Sequence, residues 1–90
     1  MIYEIPIEAK PNQFFSTSLD GITWGITLET RLNGLYISLV RGNELVLSNR
    51  VCRNRVSVGY GFSFIDIEEN KDPEYSGLGV RYILVWTDEV

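Results

Sequence analysis

The stretch Ile22-Thr23-Trp24-Gly25-Ile26-Thr27-Leu28-Glu29-Thr30 decides the fold class. Ile22, Trp24, Ile26 and Leu28 recur at every second position, with Thr23, Gly25, Thr27 and Glu29 between them. Side chains of a strand point alternately to opposite faces, so this spacing lays one apolar row against a core. A helix would scatter the same residues around its circumference. The stretch Ser57-Val58-Gly59-Tyr60-Gly61-Phe62-Ser63-Phe64 repeats the pattern, with Val58, Tyr60, Phe62 and Phe64 on one expected face.

Outward from these two stretches, the rest of the chain reads the same way. Residues 2–7 form a first short strand, ended or edged by Pro6, which has no N–H to give to a ladder. Pro11-Asn12 signals a turn, and residues 13–19 a second strand. Asp20-Gly21 then separates two alternating runs, a strong hairpin signature, and residues 22–31 form the third strand. Asn33-Gly34 repeats that signature before a strand over 35–41, and Gly42-Asn43 turns the chain into another over 44–48. Residues 49–54 carry no clear period. The strand over 57–64 continues to Ile67, and residues 68–79 make an acidic loop with proline and glycine. The last strand, 80–87, is apolar on both faces, so it is either central in the fold or covered by a partner. No segment keeps an apolar period of 3.6. The expectation is an all-β fold: one domain over residues 1–90, of about seven or eight mostly antiparallel strands, closed as a sandwich or small barrel.

Composition narrows the function. The 90 residues carry 12 acidic and 8 basic side chains, a net charge of −4, which opposes general binding to phosphate backbones or anionic membranes. A hydrophobic fraction of 44% argues against disorder, and two Trp, five Tyr and four Phe supply the bulky units a small β core needs. A chain of this length buries only about two-thirds of its unfolded surface, so docking or oligomerisation is a natural source of extra stability. No stretch reaches a membrane span and no basic-then-apolar leader is visible, so a soluble chain is expected. Cys52 is the single cysteine, which excludes an internal disulfide, fits a reducing compartment and reads as a structural or idle thiol. Histidine is absent, which removes the commonest general base and metal ligand and every Ser-His-Asp or Cys-His arrangement. No catalytic residue, cofactor or metal site is expected.

Three clusters invite a sharper reading. Gly59-Tyr60-Gly61-Phe62 overlaps the centre of an RNA-recognition motif, whose aromatics stack on bases. However, Val58 stands where a basic residue should meet phosphate, Ser63 and Ile65 miss the other positions, and two helices would be needed. The carboxylates Asp66, Glu68, Glu69, Asp72 and Glu74 lack calcium-loop spacing and read as a solvated loop. Arg50, Arg53 and Arg55 are either scattered surface charge or a docking patch for an acidic surface. Trp24 and Trp86 lie on apolar faces and read as core. Tyr75 and Leu78 stand in a polar loop, where apolar side chains either tuck back or face a partner.

Met1-Ile2-Tyr3-Glu4-Ile5-Pro6-Ile7, then Pro11-Asn12-Gln13-Phe14 and Leu19-Asp20-Gly21, make one block at the start of the chain. Asp72-Pro73-Glu74-Tyr75-Ser76-Gly77-Leu78-Gly79, then Arg81-Tyr82 and an apolar strand, make another near its end. Together they resemble the cyanophage-type baseplate plug domain of contractile-tailed phages and prophages; the middle of the chain shows least likeness. The resemblance implies a non-enzymatic structural protein of the tail baseplate. It would sit in the virion near hub, spike or tube end, assemble in the host cytoplasm, and act in many copies with other tail proteins as partners. On that reading Tyr75 and Leu78 serve as anchors beside Pro73, and Gly77 and Gly79 permit a tight backbone path; Arg50, Arg53 and Arg55, in the region of least likeness, are an interface candidate on residue type alone. The alternative is a stand-alone adaptor module that holds a peptide along a strand edge or, through Tyr60 and Phe62, single-stranded RNA.

Overall fold

A computed structural model describes residues 2–32 and 34–88. Eight strands follow one another: β1 (Ile2–Ile5), β2 (Asn12–Leu19), β3 (Ile22–Arg31), β4 (Gly34–Arg41), β5 (Glu44–Val51), β6 (Ser57–Gly59), β7 (Phe62–Asp66) and β8 (Tyr82–Thr87). They form two four-stranded antiparallel sheets, in the orders β2-β3-β4-β5 and β1-β8-β7-β6. The sheets stack as an open sandwich around one apolar core. Trp24, Ile26, Leu28, Leu35, Ile37 and Leu39 come from the first, and Ile5, Phe62, Phe64, Leu84 and Trp86 from the second.

The first sheet is a meander of sequential hairpins. The β2–β3 turn is Asp20-Gly21, both at positive φ (52° and 78°), the paired left-handed conformation that a two-residue hairpin loop requires. Gly34 is not a loop residue: it opens β4, paired with Arg31, while Asn33 lies outside the described residues. β5 runs on to Val51, three residues past the expected end, because its register with β4 shifts between Ile37 and Leu39. Asn49 absorbs the shift at φ 52°, and its N–H donates to Ser38 Oγ at 3.0 Å. A bulge of this kind breaks the period-two pattern, which hid the strand's second half.

The second sheet corrects the other defining stretch. Residues 57–64 do not make a single strand. Tyr60 and Gly61, at φ 55° and 90°, turn the chain back, so β6 and β7 pair as a tight hairpin with Gly59 opposite Phe62. Val58, Phe62 and Phe64 still face the core, whereas Tyr60 sits in the turn, partly exposed. The turn is locked to β8: Trp86 Nε1 donates to the Tyr60 carbonyl (3.0 Å) and the Thr87 N–H to the Gly61 carbonyl (3.0 Å). A Cβ on Gly61 would collide with the Thr87 carbonyl, so only glycine fits there.

β8 begins at Tyr82, leaving Val80 in an exposed turn, and lies between β1 and β7. Its Tyr82, Leu84 and Trp86 enter the core, while Ile83 and Val85 lie on its other face, half-buried and buried. Trp24 and Trp86 are both core residues. Trp24 packs edge-on against Phe62, ring centroids 5.1 Å apart, and its indole Nε1 is buried without a hydrogen-bond partner among the described residues. Cys52 is buried, and desolvation pushes its thiol up to about 12, so it is protonated and inert near neutral pH.

Candidate functional site

The polar loop over residues 67–81 is shaped from its root. Asp66, last residue of β7, points inward and is the one buried charged residue of the described chain. Arg81 grips its carboxylate with two parallel hydrogen bonds, from Nε and Nη2, each 3.0 Å long. The N–H groups of Glu68 and Lys71 donate to the same carboxylate at 2.9 Å each. A buried carboxylate with a bidentate guanidinium and two backbone donors is fully satisfied. The Arg81 bonds, with help from those N–H groups, hold its pKa well below the usual carboxylate range.

A second staple lies beside it. Asp72 accepts the Asn54 N–H (3.0 Å) and an Arg53 Nη1 bond (3.1 Å), while Asn54 Oδ1 accepts the Asp66 N–H (2.8 Å). The segment after β5 and the acidic loop are thereby stitched together. The loop is not simply solvated acid: its first and fourth carboxylates build it. Among the described residues no group of three or more His, Cys, Asp or Glu could hold a metal ion.

The loop closes with a short 3-10 turn, Tyr75–Gly77. Leu78 follows it straight into the core at 1% exposure, so Leu78 cannot meet a partner; it anchors the loop inward. Its apolar side chain in a polar run permitted either role, and packing chose the inward one. Pro73 is buried as well. Gly77 lies against the Tyr82 ring, and Gly79, at φ 81°, passes so close to the Ile7 carbonyl that a Cβ would come within 2.5 Å of that oxygen. Both glycines thus serve the loop's path. Of the loop's expected anchors, Tyr75 alone remains outside, 40% exposed.

Tyr75 has a neighbour that the sequence did not single out. Residues 30–32, 34–35 and 71–76 line a groove of about 510 Å³, with Leu32 fully exposed on one bank and Tyr75 on the other. The signal for it in the sequence is an apolar residue, Leu32, at the end of an alternating run and next to a hairpin turn.

The three arginines are all exposed. Arg53 is engaged with Asp72, Arg50 lies on β5, and Arg55 stands at φ 60°. The RNA reading is also corrected. Phe62 is 0% exposed and Tyr60 lies in the hairpin turn with its hydroxyl donating to the Val46 carbonyl (3.4 Å), so the pair offers no stacking platform.

One further surface is apolar. The outer face of the first sheet aligns Ser16, Gly25, Val40 and Leu45 in register across β2, β3, β4 and β5. The Phe14 ring lies over Gly25, where a Cβ would approach it to 3.5 Å, and Phe14 and Leu45 are 68% and 61% exposed.

The groove and this face both present exposed apolar side chains. A family model described as cyanophage baseplate Pam3 plug gp18 matches residues 2–89, nearly the whole chain. The chain belongs to this family. No curated protein matches it. Membership in the baseplate plug family makes it a structural protein of the phage tail baseplate, located in the virion tail and associated with other baseplate proteins. The two sequence blocks that carry the likeness, at residues 1–21 and 72–87, map onto β1, β2 and their turns and onto the Tyr75–Leu78 loop with β8.

Proposed function

We propose that this chain is a non-enzymatic building block, one domain over residues 1–90, that seats near the hub, spike or tube end of the tail. It is made and folded in the host cytoplasm and then built into the baseplate in several copies. The family match over residues 2–89 carries this reading. The Leu32–Tyr75 groove and the Phe14–Val40–Leu45 face are its docking surfaces, with Arg50 and Arg55 as lesser contacts to acidic neighbours. Exposed apolar anchors beside rigid backbone suit such a role, because little ordering entropy is lost on docking. Repetition of modest contacts over several copies then adds up to firm attachment.

The test is to purify tails from phage producing a tagged chain and locate it by electron microscopy and mass spectrometry. Density at the baseplate beside hub or tube subunits is the expected result. Tails that lack the chain, or the chain recovered only with a soluble host protein, would overturn the proposal in favour of an adaptor. A Leu32→Ser/Tyr75→Ser double variant is expected to fold normally and to enter tails poorly. Normal incorporation of that variant would remove the groove from the interface.

A further inference from the structure

The edge strands of the two sheets are protected unequally. β1 has four residues, carries Glu4, and is followed by Pro6. β6 has three residues and a register shift. β5 carries Glu44 and Arg50 and is bulged against β4. These are the usual means of keeping a sheet edge from pairing with another chain: brevity, charge, proline and irregularity. β2 has none of them. It spans eight residues, Asn12–Leu19, without a charged side chain or a proline, and its register with β3 is unbroken.

The same register says which backbone groups are left over. The type I′ turn at Asp20-Gly21 makes Leu19 and Ile22 a hydrogen-bonded pair. Bonded pairs then alternate, so Leu19, Thr17, Phe15 and Gln13 bond to β3. Asn12, Phe14, Ser16 and Ser18 direct their N–H and C=O groups away from the sheet.

Beside this edge the sandwich is open. A groove of about 520 Å³ runs between the end of β1 and β2, with Ile5, Ile7 and Phe15 among its apolar lining and Gln13 and Thr17 among its polar lining. Gln13 fixes its far wall: the side-chain amide donates to the Glu8 carbonyl at 2.7 Å and accepts the Glu8 N–H at 3.2 Å.

We propose that β2 receives an added antiparallel strand from another baseplate protein, an extended segment with an apolar residue at every second position. Its backbone bonds to Asn12, Phe14, Ser16 and Ser18, and its alternate side chains fill the groove between the sheets. A second copy of this chain fits less well. Its own β2 would bring inward Gln13 and Phe15 side chains already committed to its own Glu8 and core, so the groove would stay empty. On the outer face the added strand continues the Phe14–Val40–Leu45 row. This inference rests on the baseplate reading, for which it supplies a mode of attachment.

Hydrogen exchange tests it, on the full chain alone and in purified tails that contain it. Alone, the Asn12, Phe14, Ser16 and Ser18 amides exchange fast while their odd-numbered neighbours are protected. In tails, those amides slow by roughly tenfold or more. If the chain is present in tails but these amides stay fast while residues 30–35 and 71–76 gain protection, the added strand is wrong and the docking reading stands. If tails lack the chain, the docking reading itself fails. Protection of the even-numbered amides in the isolated protein, with a dimer mass, would assign the edge to a second copy and overturn the foreign strand. Ser16→Pro supplies a second measurement. It removes an edge-facing N–H and is expected to fold, yet to lose roughly tenfold or more in incorporation, whereas Ser16→Ala incorporates normally. A well-folded Ser16→Pro chain that enters tails normally would overturn the proposal, and the exchange result decides if that variant misfolds.

Discussion

The two sheets are built by opposite routes. The first, β2 to β5, takes consecutive strands and joins neighbours through tight turns. The second gathers β1 from one end of the chain and β8 from the other, and β7 reaches β8 only through residues 67–81. Local pairing needs alternation and turn residues. Distant pairing needs an added device, and here it is the buried Asp66–Arg81 pair with Leu78 and the staple at Asp72. The first sheet is therefore held mainly by its own pattern, and the second depends on a few loop residues.

The sharpest way to break that contrast is Leu78→Ser. It removes a buried leucine and buries a hydroxyl, for a loss of about 3–5 kcal/mol in urea unfolding, a large share of the ~5–15 kcal/mol typical of a small domain. Exchange should rise first in β7 and β8 and last in β3 and β4. Uniform loss across both sheets would show that they do not differ in dependence.

Asp66→Asn comes next, with a signature in pH. The folded pKa of Asp66 lies below the unfolded value of about 3.9, so the unfolded chain binds the proton more readily. Its contribution is complete above about pH 4–5 and is lost as pH falls toward the folded value. The variant should be less stable than the parent at pH 7, with the gap narrowing in acid. A gap independent of pH would mean that the carboxylate charge does not hold the loop.

Gly61→Ala should lose about 2 kcal/mol or more, since alanine resists positive φ and meets the Thr87 carbonyl. The matching Gly42→Ala, where nothing lies within 4 Å of a Cβ, should lose less, because only φ is strained. In alkali, the folded chain keeps the Cys52 proton that the unfolded chain releases. Stability should therefore fall above about pH 9, by about 1.4 kcal/mol per pH unit until the folded pKa near 12 is reached. Cys52→Ala should reduce that slope in a pH series of melting curves, leaving the part contributed by buried Tyr82, whose pKa burial also raises. Tyr75→Ser should change stability least, within about 0.5 kcal/mol, because its side chain lies on the surface.

The same contrast explains what could be read from sequence. Ile22–Arg31 was legible to the residue, and so were the Asp20-Gly21 and Gly42-Asn43 turns, because period and turn chemistry are local. The hairpin at Tyr60-Gly61 was missed because its turn uses a tyrosine at positive φ between alternating residues, which imitates a continuous strand. Val51 was missed behind a bulge. At the proposed contact surface, Tyr75 and Leu78 carry the same signal in the sequence, apolar side chains in a polar loop, and packing leaves only Tyr75 exposed. The role of Leu78 depends on Arg81 drawing the loop over Asp66, fifteen residues back in the chain.

β1 and β8 lie side by side, Ile2 opposite Thr87, although nearly the whole chain separates them. On the ribosome the first strand must therefore wait until almost everything else has emerged, while the meander can already close. Closing so long a loop slows folding far more than it lowers stability. A circular permutant joined by a short linker between residues 88 and 2, and opened at Gly42-Asn43, would turn that last encounter into a hairpin and should fold faster to the same sandwich.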